Sequence, residues 1–320
     1  MTTARSQLIR PDVTPYYHCV SRCVRRSYLC GYDKLSGQSY EHRRDWVEQR
    51  ILSLAAIYCV RICAYAIMSN HYHLVTFIDT DAAQSLSALE VVERWGAEHT
   101  LPVIIQRYIS QQLTCETEWN LCHQLIDTWR QRLCSLSWFM KELNYDIAVQ
   151  ANREDDCTGR FWEGRFKSQA LLDEKALLAA MAYVDLNPIR ANIAPSLKQS
   201  DHTSIKFRLS ELEKGNTTAS PLSDFVGYQH QDKAAGIPFR LSDYLELLDW
   251  IGRQLRPDKK GRLDATHPFI LQQLTLPQQT CLRLCTQLEK QSGLWIGSTP
   301  ELLRAKDKLK RKRMCGVHIS

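Results

Sequence analysis

The sequence predicts an α+β fold on three observations. It opens with a β-α-β-β pattern over residues 16–79, repeats a strand-then-helix unit over 160–187, and continues in amphipathic helices beyond about residue 205. Tyr16 to Cys23 reads as the first strand, rich in aromatic and small residues, with Pro15 before it and a basic turn after it. A helix follows from about Asp45 to Ile57, its apolar stripe formed by Trp46, Ile51, Leu52, Leu54 and Ala55. Tyr58 to Met68 reads as the second strand, and Ser69-Asn70 as the tight connection to a third that ends near Ile78. Residues 81–132 are polar, dotted with tryptophan and without a clear period, which predicts a helical insertion with loops. Helical spacing resumes over Leu133 to Ala151, where Leu136, Phe139, Met140, Leu143 and Ile147 share a face. Arg160 to Leu172 reads as extended. Asp173 then caps a helix running to Asn187, which Pro188 ends by lacking a donor and disfavouring helix in the residue before it.

Beyond Asp201 the helices are Leu241 to Leu255, Leu276 to Leu288, and a third starting at Thr299-Pro300-Glu301, with threonine as N-cap and the basic tail as its continuation. The division this suggests is residues 1–205 as one α+β unit, carrying the insertion at about 81–132, and 206–320 as a helical region with a basic tail.

The net charge of +6 is local. Seven basic residues and one acid lie between Arg304 and Arg313, and that stretch carries the whole excess. Elsewhere two basic clusters sit among aromatic residues: Arg22, Arg25 and Arg26 after the first strand, and Arg160, Arg165 and Lys167 around Phe161-Trp162. Basic and aromatic side chains together suit a nucleic-acid backbone, although such runs also serve as plain solvated faces. The twelve cysteines include no C-x-x-C pair, so they read as reduced, mostly buried thiols. No apolar run follows Arg5 and none elsewhere reaches membrane-spanning length, from which a cytoplasmic protein without a membrane partner is expected.

The chemistry concentrates in two motifs. In Ser69-Asn70-His71-Tyr72-His73-Leu74-Val75 the period-two strand sends His71 and His73 to one face, where both imidazoles can converge on a metal ion, and Tyr72 to the other. In Ala182-Tyr183-Val184-Asp185-Leu186-Asn187-Pro188 a phenol and an amide lie four apart on one helical face. Each has a bland rival: a histidine pair that is only structural, and a tyrosine that only fills the core. Trp162 and Phe166 either stack bases or fill the core.

Taken in order, four stretches resemble the REP-associated tyrosine transposases, a branch of the single-tyrosine HUH transposase family. They are Tyr17 to Arg22, Ala64 to Val75, Gly159 to Ser168 and Tyr183 to Ala191, and the resemblance spans roughly residues 10 to 200. It implies a ferredoxin-like antiparallel sheet with flanking helices, followed by the C-terminal helical region. It further implies that His71 and His73 bind a divalent metal, Mg²⁺ or Mn²⁺, and that Tyr183 is the nucleophile. Asn187, one turn after the tyrosine, holds the place of the third ligand, with a shorter amide than the glutamine of related transposases. The implied activity nicks and rejoins single-stranded DNA at hairpin, REP-like elements through a 5′-phosphotyrosine. Arg22, Arg25, Arg26, Arg160, Trp162, Arg165, Lys167 and Arg190 are the candidate DNA contacts. Two other functions fit parts of the pattern: a non-catalytic DNA- or RNA-hairpin-binding protein that keeps the fold, and a metal-dependent phosphodiesterase that uses water.

Overall fold

A computed structural model of the protein describes residues 5–24, 29–33, 37–215, 220–228, 236–255, 268–290 and 293–319. After a short helix, α1 (Arg5–Leu8), come β1 (Tyr16–Arg22), α2 (Arg43–Ile57), β2 (Val60–Ile67) and β3 (His71–Ile78). The β2–β3 connection is as tight as the sequence indicates, closed by Met68 N–H donating to the His71 carbonyl at 2.8 Å. The segment 81–132 is helical, forming α3 (Thr80–Ser85), α4 (Ala88–Gly96), α5 (Val103–Ile109) and α6 (Glu116–Leu133). These helices gather their own apolar cluster around Val92, Trp95, Ile126 and Trp129. Ser87 and Glu90 cap α4 reciprocally, satisfying two of its free N–H groups.

Next come α7 (Leu136–Glu154), β4 (Lys167–Leu171), α8 (Glu174–Asp185) and α9 (Asn187–Arg190). The extended reading of 160–172 holds only for β4. Before it the chain turns, with Val24 N–H donating to the Phe161 carbonyl and Glu163 N–H to that of Arg22, so 160–166 is pinned to the end of β1. Asp173 caps α8 as expected, accepting from Ala176 N–H at 2.9 Å. The helix stops at Asp185 rather than Asn187, because Pro188 fits the first turn of a new helix and α9 begins there. The C-terminal elements are α10 (Ser204–Glu213), α11 (Leu241–Leu255), α12 (Phe269–Gln273), α13 (Gln278–Gln287), β5 (Trp295–Gly297), α14 (Thr299–Lys308) and β6 (Gly316–His318). The basic tail is therefore not a continuous helix. Ser298, not Thr299, occupies the N-cap of α14, and the chain beyond it returns as a strand.

Among the described residues the result is a mixed α/β structure on a six-stranded sheet of order β2-β3-β1-β4-β5-β6. The first four strands pair antiparallel in the ferredoxin-like order, and β5 and β6 add to the β4 edge in parallel. Alternation along β3 divides the faces. Tyr72, Leu74 and Ile78 join Leu136, Phe139, Met140 and Leu143 of α7 on one side, while Val75 meets α8 on the other. Helix α8 is buried on all sides between the sheet and α11 and α13, and Ala176, Ala179, Ala180 and Ala182 permit that close approach. Among the described residues no helix is long and apolar enough to cross a membrane.

Asp185 ties α8 to its surroundings. Its buried carboxylate accepts from Ser204 Oγ at 2.5 Å, Ile205 N–H at 3.1 Å and Tyr244 Oη at 2.6 Å. Burial outweighs these donors and pushes its pKa up to about 6. An acid raised in the folded state holds its proton longer there than in the unfolded chain, so stability should fall as pH rises from the ordinary aspartate value through about 6. The drop should be on the order of 3 kcal/mol. Asp185→Asn should remove that drop, as measured by urea unfolding across the same pH range.

Candidate active site

The pairing register assembles the site. Across the β1–β3 ladder Arg22 faces His71, Val20 faces His73 and His18 faces Val75; across β1–β4, His18 faces Gln169. Directly opposed and diagonal neighbours on one face of a sheet touch, which brings Gln169, His18 and His73 into a row. His18 Nδ1 lies 2.9 Å from Gln169 Oε1, and His18 Nε2 lies 3.0 Å from His73 Nδ1. The two imidazoles stack at 5.2 Å, and the His71 and His73 rings meet edge-on at 4.8 Å.

Helix α8 lays Tyr183 over this row, its ring 5.6 Å from His73 and 6.0 Å from His18. Tyr183 is 4% exposed. Its hydroxyl donates to Glu289 Oε2 at 3.2 Å, and the Arg190 guanidinium stacks 3.8 Å above the ring while donating to the carbonyls of Tyr183 and Thr286. Glu289 also receives Arg22 at 3.2 Å.

Ligand atoms of His71, His73 and Glu289 all lie within 4.8 Å of one another. His73 is 0% exposed, and its Nε2 has no hydrogen-bond partner among the described residues. A buried lone pair without a partner is costly unless something occupies it. Two nitrogens and one oxygen suit a divalent ion, and imidazole donors favour Mn²⁺ over the harder Mg²⁺. The set fits. A second cluster, Asp45, Glu48 and His202, is engaged internally: Glu48 accepts from Tyr65 Oη and faces His202 Nδ1 at 3.1 Å.

The electrostatics keep the imidazoles neutral, the form that ligates. Burial lowers His18; burial and the neighbouring imidazoles hold His73 well down; burial and then Arg22 bring His71 to about 4. Burial raises the Tyr183 phenol, against Arg190 and with Glu289 adding to the rise. Burial would also raise Glu289, but His71, Arg22 and the Tyr183 hydroxyl outweigh it and leave the carboxyl below its usual value.

His71, His73 and Tyr183 thus converge, with Arg22 and Arg190 beside them. Asn187 lies one turn on, 7% exposed, its amide nitrogen without a partner among the described residues. The carboxylate that joins the two histidines is that of Glu289. Arg160, Arg165 and Lys167 are exposed, and the pinning of 160–166 to β1 brings their backbone to the strand end that carries Arg22. Trp162 is held by the protein, its Nε1 donating to the Asn144 carbonyl at 2.7 Å and its ring edge-on to Tyr72. Phe166 is buried. Arg25 and Arg26 lie outside the described residues. Sequence reasoning missed His18, Gln169 and Glu289. Strand alternation could have flagged His18, but nothing local marks Gln169 or Glu289.

No protein-family model matches the chain, and no curated protein matches it. Among solved structures it is similar to one titled "Structure of the REP associates tyrosine transposase bound to a REP hairpin", at 12% identity and a TM-score of 0.34, covering 74% of this chain and 97% of that one.

The Arg22–Glu289 pair leaves 32% of each side chain accessible, so its contribution to folding is small. Arg22→Gln should change unfolding free energy by less than about 1 kcal/mol, checked by urea titration.

Proposed function

We propose that this protein is a metal-dependent tyrosine transposase that nicks and rejoins single-stranded DNA at hairpin elements through a 5′-phosphotyrosine. The observation that carries the reading is the grouping of His71, His73 and Glu289, with the Tyr183 hydroxyl hydrogen-bonded to Glu289. The ordered motifs of the sequence support it. In this reading residues 1–205 form the catalytic unit, and the region 206–320 contributes Glu289.

His71, His73 and Glu289 would hold the ion, Mn²⁺ or Mg²⁺, with Asn187 a further candidate. When bound, such an ion offsets charge on the scissile phosphate. Tyr183 does the covalent chemistry: its Oη bonds to phosphorus as the P–O3′ bond breaks, leaving a 5′-phosphotyrosine and a free 3′-OH. A phenol raised by burial attacks only as its proton leaves, and Glu289 Oε2, which already accepts from it, takes that proton while a proton from water completes the leaving 3′-OH. Arg190 holds the ring and places positive charge beside the forming anion. The new phosphodiester to tyrosine preserves the bond energy, so a 3′-OH can reverse the step without ATP. Arg22, Arg160, Arg165 and Lys167 would contact the backbone of the strand.

Tyr183→Phe keeps the ring and removes one oxygen, so fold and hairpin binding should persist while cleavage falls to background. Wild-type protein with a labelled single-stranded hairpin and Mn²⁺ should give a detergent-stable adduct on Tyr183. Cleavage without an adduct would move the nucleophile to water.

Chelation, or His71→Ala with His73→Ala, should abolish cleavage and leave hairpin affinity within a few-fold, measured by gel shift. Full cleavage by the double variant in chelator would remove the metal.

In the tail, Lys308 donates to the Asp12 carbonyl and Arg311 to that of Gln7, so charge substitution tests DNA contact without removing folded structure. Lys310, Lys312 and Arg313 changed together to Gln should reduce the slope of log K against log salt by about 0.7 for each lost contact to a single strand.

A further inference from the structure

We propose that Gln169 and His18 are positioning residues that hold His73 in its Nδ1-protonated tautomer, so that Nε2 presents a bare lone pair to a divalent cation. The cation rests on the reading above; the tautomer stands on its own hydrogen bonds.

The Gly293 carbonyl only accepts, so the amide nitrogen of Gln169, 2.9 Å away, must face it. The amide oxygen is then left for His18, and an oxygen without a proton forces His18 Nδ1 to donate. His18 is 1% exposed, and a buried ring that already gives its Nδ1 proton to Gln169 keeps a bare Nε2, which accepts. The proton in the 3.0 Å contact therefore belongs to His73 Nδ1. His73 is 0% exposed, and a buried imidazole carries a single proton, so its Nε2 is unprotonated and without a partner among the described residues. The opposite arrangement needs a doubly protonated His18, which burial disfavours.

His71 is fixed in the same way. Its Nδ1 faces Asn70 Oδ1, an acceptor that Arg22 Nη1 approaches at 3.5 Å, so His71 also carries its proton on Nδ1 and leaves Nε2 bare. The two imidazoles thus present the same nitrogen, each fixed from behind by an amide oxygen, directly for His71 and through His18 for His73. Hydrogen bonds of this kind set the tautomer and ring orientation of metal-binding histidines. The anchor at Gly293 belongs to the C-terminal chain that also supplies Glu289, so one segment sets the imidazole tautomer and adds the carboxylate.

The test uses the full-length protein labelled with ¹⁵N-histidine and read by two-bond ¹H–¹⁵N correlation without metal, with His73 identified by its loss in His73→Gln. Wild type should show His73 protonated on Nδ1. Gln169→Leu and His18→Phe should shift it toward the Nε2-protonated form, whereas His18→Gln, whose amide oxygen can take the place of the ring Nε2, should restore the wild-type pattern. Mn²⁺ affinity by calorimetry should fall about 10–100-fold in the first two variants and recover in the third. A wild-type His73 protonated on Nε2 would overturn the proposal without any variant. So would an unchanged tautomer, or Mn²⁺ binding equal to wild type, in folded His18→Phe. If the tautomers behave as stated but wild type binds no Mn²⁺, the relay stands and the metal-dependent reading fails.

Discussion

Burial of the His73 imidazole is the constraint on which the rest of the site depends. A side chain at 0% exposure cannot rely on water, so each ring nitrogen needs a protein partner or a ligand. One nitrogen has His18; the other has none among the described residues. Strand alternation puts His71 on the same face, and β1 must run beside β3 in the observed register for His18 to reach Nδ1. The fully buried helix α8 then closes the face with Tyr183. The same burial that keeps the imidazoles neutral raises the Tyr183 phenol, so one environment holds the rings uncharged and the hydroxyl protonated.

Two distant parts of the chain meet this demand. The ferredoxin-like strands supply the histidines, and α8 supplies the tyrosine. The C-terminal chain, through Glu289 and Gly293, supplies a carboxylate and the anchor for Gln169. Asp173 links these parts a second time, capping α8 with one oxygen and accepting Ser298 N–H with the other at 2.6 Å. Asp185 does the same at the other end of α8 through Tyr244 of α11.

What the sequence made legible follows from locality. The His71/His73 pair depends on a period of two, the Asp173 cap on three residues, and the amphipathic helices on a period of 3.6; each signal fits inside one element. The convergence on Glu289 joins residues 106 apart in sequence, and no local pattern encodes it. Strands β5 and β6 have three residues each, too short to show alternation, and a basic stretch before β6 reads as helix. The tryptophans of 81–132 obscure a helical period because Trp95 packs on Trp129 and on Trp138 of α7 rather than along one stripe. Trp162 looked equally suited to DNA and to core, and its indole hydrogen bond to Asn144 is a tertiary fact.

The central claim is that one divalent ion and the Tyr183 phenol share a site built by His71, His73 and Glu289. The most direct measurement is an anomalous-difference map from crystals of the full chain loaded with Mn²⁺. The account requires a peak bounded by those three side chains and adjacent to the Tyr183 ring. A peak at Asp45, Glu48 and His202 instead, with none at His73, would contradict it.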